Sequence, residues 1–210
     1  MNLKILLAAG AGALALSGAA HASTVVFDST FENVPGGPSA GGYTTVATAD
    51  GWTGGPNGIE LQNNVAGAPA ANGGSVFVEL DTFANSSMSR TIGAGSYDLS
   101  FLYSPRPGIP ASSNGIEVFL NGVLLSPPGL VTADGGGATS WSTVSTSFVA
   151  APGSILTFAA EGTSDSLGGY VDNITLSAVP EPTTWAMMLI GVGMVGFGLR
   201  TRKTSAAVAA

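Results

Sequence analysis

Carboxylates dominate the chemistry this chain can offer. Between Ser23 and Val179 stand twelve acidic side chains against two basic ones, Arg90 and Arg106, a net charge of −10. One acid is out of place for its surroundings. In the stretch Gly169–Ser177, alternation puts Tyr170, Asp172, Ile174 and Leu176 on one face. A carboxylate among core residues needs a partner, because burying an unpaired charge is costly. Asp172 therefore needs a partner such as backbone amides or an arginine. Glu79 and Asp81 form a second acid pair on one strand face. They are either the solvated side of that strand or further ligands for a cation or a sugar. Aromatic side chains give the other binding chemistry, since the apolar faces of sugars stack on rings. Trp52 and Trp141 lie in or beside glycine-rich stretches, and Tyr43 and Tyr103 complete the set. Trp52 and Trp141 are candidate glycan contacts, with a buried core role as the alternative for each. Arg106, between two prolines, is the candidate polar contact, with a surface salt bridge as its alternative.

Several chemistries are excluded. The only histidine is His21, and there is no cysteine. A Ser-His-Asp arrangement lacks its base once the leader is removed, and Cys/His zinc sites lack their ligands. No phosphate-binding glycine loop follows a strand. Nucleic acid is excluded as a partner, because its binding rests on Lys and Arg contacts to phosphate. Paired carboxylates for glycoside hydrolysis survive in principle, but no spacing marks such a pair, so the chain reads as a non-enzyme. Without cysteine an exported chain has no disulfide framework. Stability must come from a packed core or a bound metal.

The elements that would carry these residues are short strands. Runs rich in β-branched and aromatic residues are punctuated by Gly, Pro and Asn. The pattern predicts strands at Thr24–Ser29, Gly42–Ala47, Gly58–Asn63, Ser75–Thr82, Ser86–Ile92, Ser96–Ser104, Gly115–Leu120, Val123–Ser126, Ser142–Val149, Ile155–Ala160 and Gly169–Ser177. Val76, Val78 and Leu80 share one face; so do Tyr97, Leu99, Phe101 and Tyr103, and Ile116, Val118 and Leu120. Asn121-Gly122 between two apolar runs signals a hairpin. The loops Pro105–Ser113 and Pro127–Ser140 are long and rich in Gly and Pro. The body is one domain, residues 23–179: all-β, an antiparallel β-sandwich of jelly-roll type.

Both ends read as targeting segments. Residues 1–22 have a positive start at Lys4, an apolar Ile5–Leu16 and an Ala20-His21-Ala22 cleavage site, the outline of a cleaved secretory signal peptide. This predicts passage through the Sec translocon. At the other end, Pro180-Glu181-Pro182 is followed by Trp185-Ala186, an uncharged run Met187–Leu199, and the basic cluster Arg200, Arg202 and Lys203. Seventeen residues separate Pro182 from Arg200, at the low edge of the roughly 17–25 that span a bilayer. Trp185 stands where an interfacial aromatic anchors, and the basic cluster prefers the cytoplasmic side. The expectation is a C-terminal transmembrane helix, and a plain membrane anchor is the bland reading of it. The order of parts over 180–203 resembles the PEP-CTERM sorting signal of Gram-negative bacteria, in its Trp-Ala variant. Residues 204–210 form a tail beyond it. The resemblance implies recognition by an exosortase, a transient inner-membrane intermediate, and delivery to the cell surface or an exopolysaccharide biofilm matrix.

The body resembles galactose-binding-like jelly rolls, a group that includes many carbohydrate-binding modules. The residues that carry this are Phe27–Glu32, Phe77–Asp81, Ser96–Phe101 and the closing Glu161–Leu176, above all Val171-Asp172-Asn173-Ile174-Thr175-Leu176. Many such modules hold a structural calcium between a Phe-Glu near the first strand and an Asp of the last. The resemblance thus implies Glu32 and Asp172 as metal ligands. Calcium takes six to eight oxygens, which Gly- and Asn-rich loops could complete. It also implies a non-catalytic, polysaccharide-associated module. A structural matrix protein without a defined ligand is the alternative, and a carboxylate-based glycosidase a lesser one.

Overall fold

The computed structural model describes residues 23–70, 74–180 and 188–196. The strands in chain order are β1 (Thr24–Ser29), β2 (Tyr43–Val46), β3 (Thr48–Ala49), β4 (Trp52–Gly54), β5 (Ile59–Gln62), β6 (Phe77–Glu79) and β7 (Ser87–Ile92). They continue with β8 (Gly95–Ser104), β9 (Gly115–Leu120), β10 (Val123–Leu124), β11 (Ser142–Ala150), β12 (Ser154–Glu161) and β13 (Tyr170–Val179). They form two antiparallel sheets. One runs β11-β8-β13-β6-β5-β2, with β1 also paired to β13; the other runs β10-β9-β12-β7-β4-β3. The fold is the expected jelly-roll-like sandwich.

Period-two patterning explains the core. Val76, Val78, Leu80, Leu99, Phe101, Tyr103, Ile116 and Val118 are all buried between the sheets. Asn121 and Gly122 both take positive φ, 52° and 76°, as a two-residue hairpin of type I′ requires, and they join β9 to β10. The strands β3 and β4 were not expected. They are two and three residues long, too short to show alternation.

Trp52 begins β4 and is a core residue. It is wholly buried, edge-on to Phe27 and Phe158 at 5.7 and 5.5 Å, and its indole N–H donates to Ser29 Oγ at 3.0 Å. A ring enclosed in this way cannot meet a glycan, so the expectation for Trp52 is corrected. Tyr103 is buried too, and donates to the Asn114 carbonyl at 2.9 Å. Arg90 lies over the Phe27 ring at 4.0 Å and donates to the Asp50 carbonyl, bracing the sandwich.

The face assignment of β13 also needs correction. Its register against β8 shifts between Asp172 and Thr175, and Asn173 takes φ 47°. This bulge inserts a residue and reverses the alternation. Val171, Ile174 and Leu176 point into the core. Tyr170 and Asp172 therefore share the outer face of the sheet, not the core face with Ile174 and Leu176.

At the C-terminus, residues 188–196 are helical. Nine residues rise about 13 Å, less than half the roughly 30 Å hydrocarbon thickness. Among the described residues no helix is long and apolar enough to cross a membrane, so the expected transmembrane helix is not found there. The signal peptide, 1–22, and the sorting residues Glu181, Pro182, Trp185, Ala186, Arg200, Arg202 and Lys203 lie outside the described residues.

Candidate functional site

The outer face of the larger sheet gathers the polar chemistry, in two places. The first surrounds Asp172. Turned outward by the bulge, it is nonetheless wholly buried. Its Oδ1 accepts from the Asn173 N–H at 2.7 Å, while its Oδ2 has no hydrogen-bond partner. Burial, and then the charges of Glu32 and Asp28, push its carboxyl up to about 8. Glu32 is engaged elsewhere: Oε1 accepts from the Ser75 and Val76 N–H groups, both at 2.7 Å, and Oε2 from the Ser75 hydroxyl at 2.9 Å. Gly74 lets it come this close, because a Cβ there would stand 2.3 Å from Oε1. Asp28 accepts from the Thr175 hydroxyl at 2.9 Å. Among the described residues no three acids form a group able to hold a metal ion. The oxygens left for a cation are Asp172 Oδ2 and the remaining lone pair of Glu32 Oε2.

The second place is a row across neighbouring strands. Glu60 on β5 stands opposite Glu79 on β6, and Glu79 stands opposite Tyr170 on β13. Glu79 and Asp81 do not form a solvated strand side; both are wholly buried. Glu79 Oε1 accepts from the Asp81 and Gly168 N–H groups at 2.7 and 2.8 Å. Asp81 Oδ2 accepts from the Asp165 and Leu167 N–H groups at 2.8 and 3.3 Å. The two acids tie the loop 162–169 to the sheet. Glu79 Oε2 and the Tyr170 hydroxyl have no partner. Burial, then the charge of Glu60, push the Glu79 carboxyl up to about 7. Burial also raises Glu60, against a bond from the Gln62 amide and the positive charge of Arg106.

Beside this row opens a cleft of about 300 Å³, whose walls include Tyr43, Glu60, Gln62, Phe83 and Arg106. Tyr43 and Phe83 are 63% and 77% exposed. Gln62 donates to Glu60 at 2.8 Å; its own carbonyl oxygen is buried and unpartnered. Arg106 is thus placed at the cleft. Trp141 is not part of its lining. Half-buried, it stacks near Tyr170 and meets Phe77 edge-on, and its N–H donates to the Ala68 carbonyl at 2.9 Å. The structure therefore separates Trp52, Trp141 and Arg106, while Glu32 and Asp172 lie near enough for their charges to interact.

Glu60, Gln62 and Phe83 were missed in the sequence. The signal for the first two was present: Ile59 and Leu61 are core residues, so the residues between and after them point outward. Phe83 sits in a turn-like Asp-Thr-Phe-Ala-Asn stretch, where an apolar ring has no core to join.

The search of curated proteins finds no match to this chain. Among solved structures it is similar to a family 35 carbohydrate binding module from Clostridium thermocellum, at 20% identity over 55% of this chain and 86% of that one, with TM-score 0.39. It is similar as well to the CBM22-1 xylan-binding domain from Paenibacillus barcinonensis Xyn10C, at 14% identity over 78% and 99%, with TM-score 0.45. A third is the K2 cleaved adhesin domain of Lys-gingipain, at 15% identity over 71% and 96%, with TM-score 0.47. Residues 178–203 match the PEP-CTERM protein-sorting motif, the mark of a chain exported to the cell surface.

Proposed function

We propose that this is an exported, non-catalytic glycan-binding protein, and that the cleft between Tyr43 and Phe83 is its sugar site. The observation that carries this reading is the pair of exposed rings flanking a floor of buried polar groups. That combination suits a sugar, which offers an apolar face to a ring and hydroxyls to fixed acceptors and donors. An exosortase processes the tail after Sec export, and the mature protein resides at the surface or in an exopolysaccharide matrix.

Glu60 and Glu79 face each other across neighbouring strands, and paired carboxylates are what glycoside hydrolysis uses. Glu79 is, however, closed off from solvent and spends one oxygen on two backbone amides, so it supports anchoring rather than hydrolysis. A structural calcium belongs to the same proposal. Asp172 would hold it through Oδ2 and Glu32 through Oε2, and the ion would supply the positive charge those carboxylates lack.

The test is binding of the purified protein to a panel of soluble polysaccharides. Tyr43→Ala with Phe83→Ala should weaken binding at least tenfold, about 1.4 kcal/mol, with little change in melting temperature, since both rings are exposed. Binding that survives the double change would place the sugar elsewhere.

A further inference from the structure

The cleft also shows which kind of sugar it suits. Its charged and titratable groups are Glu60 from β5, Arg106 from the β8–β9 loop and Tyr43 from β2; behind Glu60 stand Glu79 on β6 and Tyr170 on β13. Two carboxyls thus face one guanidinium. The arginine charge bears on both glutamates, which outnumber it at this end of the sheet. The body around the cleft carries a net charge of −10, which disfavours the approach of uronate or sulfated chains.

The Gln62 amide oxygen in the floor is an acceptor in want of a donor. The Gln62 side chain is 1% exposed, and its amide N–H is spent on Glu60 while its carbonyl oxygen has no partner. A buried acceptor left unpaired costs about 1–3 kcal/mol. A hydroxyl brings one donor and no charge. An ammonium brings three donors and the positive charge that two neighbouring carboxyls lack. The volume, about 300 Å³, is at the small end of ligand pockets and suits one or two rings rather than a long chain segment.

We infer that the cleft selects a sugar residue with a free amino group, a protonated hexosamine of a partly de-N-acetylated polysaccharide, seated with its ammonium against Glu60 and its ring between Tyr43 and Phe83. This rests on the glycan-binding reading above and names the ligand class for that site. N-acetylation would exchange the ammonium for a neutral amide and leave the Glu60 carboxylate without its counter-charge.

The experiment is calorimetric titration of the purified protein with three oligosaccharides of equal length: β-1,4-glucosamine tetramer, β-1,4-N-acetylglucosamine tetramer and a uronate tetramer. The free-amine tetramer should bind at least tenfold tighter than the acetylated one, and the uronate weakest. Glu60→Gln, a near-isostere that leaves a neutral group in a buried place, should bring the amine-to-acetyl ratio close to one. Arg106→Gln, which keeps Glu60 intact, should widen that ratio by removing the competing positive charge. Equal or tighter binding of the acetylated tetramer overturns the inference and leaves the glycan-binding reading standing. Tightest binding of the uronate does the same and makes Arg106 the selector. If none of the three binds and the polysaccharide panel is also silent, both fall together.

Discussion

Glu79 shows how far a single residue can depart from its sequence appearance. An acid alternating with valines reads as the wet side of a strand; the loop 162–169 folds over it and dries it. Its carboxyl lies at about 7 in the folded protein against 4.5 as the ordinary value. The folded state therefore holds this proton more tightly than the unfolded chain. Stability is highest below about 4.5, falls as pH rises toward 7, and levels off above, a loss on the order of 3 kcal/mol at most. Glu79→Gln should remove this share. Thermal melts between pH 5 and pH 8 should become flatter, with the variant gaining most at pH 8. A melt profile unchanged by the substitution would mean that Glu79 is already ionised. The tryptophans teach a similar lesson. Glycine neighbours suggested exposed rings, yet Trp52 fills the middle of the sandwich, because a two-residue bridge of β3 to β4 carries it there. No window of sequence shows that placement, since it depends on which sheet the short strands join.

At the scale of elements, eleven strands were legible because alternation and turn residues are local properties. What was not legible is where alternation breaks. The bulge at Asn173 turns Asp172 away from Ile174 and Leu176, and no residue type before it announces the change. The loop 162–169 is a second case. Its anchors, Glu79 and Asp81, are more than eighty residues away in the chain, so only the assembled sheet reveals the contact. Gly168 is where it comes closest to these two acids. A Cβ there would lie 2.2 Å from Glu79 Oε1 and 3.0 Å from the Asp81 Cβ. Gly168→Ala should cost about 2 kcal/mol by overpacking and should loosen the loop around Ser166, which borders the cleft. Urea denaturation should show the lost stability, and hydrogen exchange should show the amides of 165–168 opening first. Gly122 is the control: a Cβ there meets nothing within 4 Å, so only its positive φ opposes alanine, at about 1–2 kcal/mol, and the amides of 165–168 should stay closed.

The whole molecule has no covalent staple. Its first and last strands are joined only by hydrogen bonds, and beside them lies the buried, half-satisfied Asp172. A calcium held there would fasten the segment after β1 to β13. It would stabilise the protein by mass action, about 2.7 kcal/mol at a hundred times the dissociation constant. Melting temperature should rise with calcium and fall back on chelation. Asp172→Asn should abolish that response. Above about pH 8, where the carboxyl ionises, it should also raise the melting temperature of the calcium-free protein, because it removes a buried carboxylate with an unpaired oxygen. A calcium response that persists in the variant would move the ion to another site.

The strand β13 also sets the cleft and the tail at opposite ends of the body. Thr24 pairs with Ala178 at one end of it, so the body begins and ends on adjacent strands, and the sorting motif starts within the last two residues of the sheet. The Glu60–Glu79–Tyr170 row crosses the opposite end. Eight residue steps at about 3.3 Å each separate the two, roughly 26 Å. β13 is thus a mast: the sorting segment begins at its foot, and the cleft is carried at the far end, away from the point where the tail leaves the body.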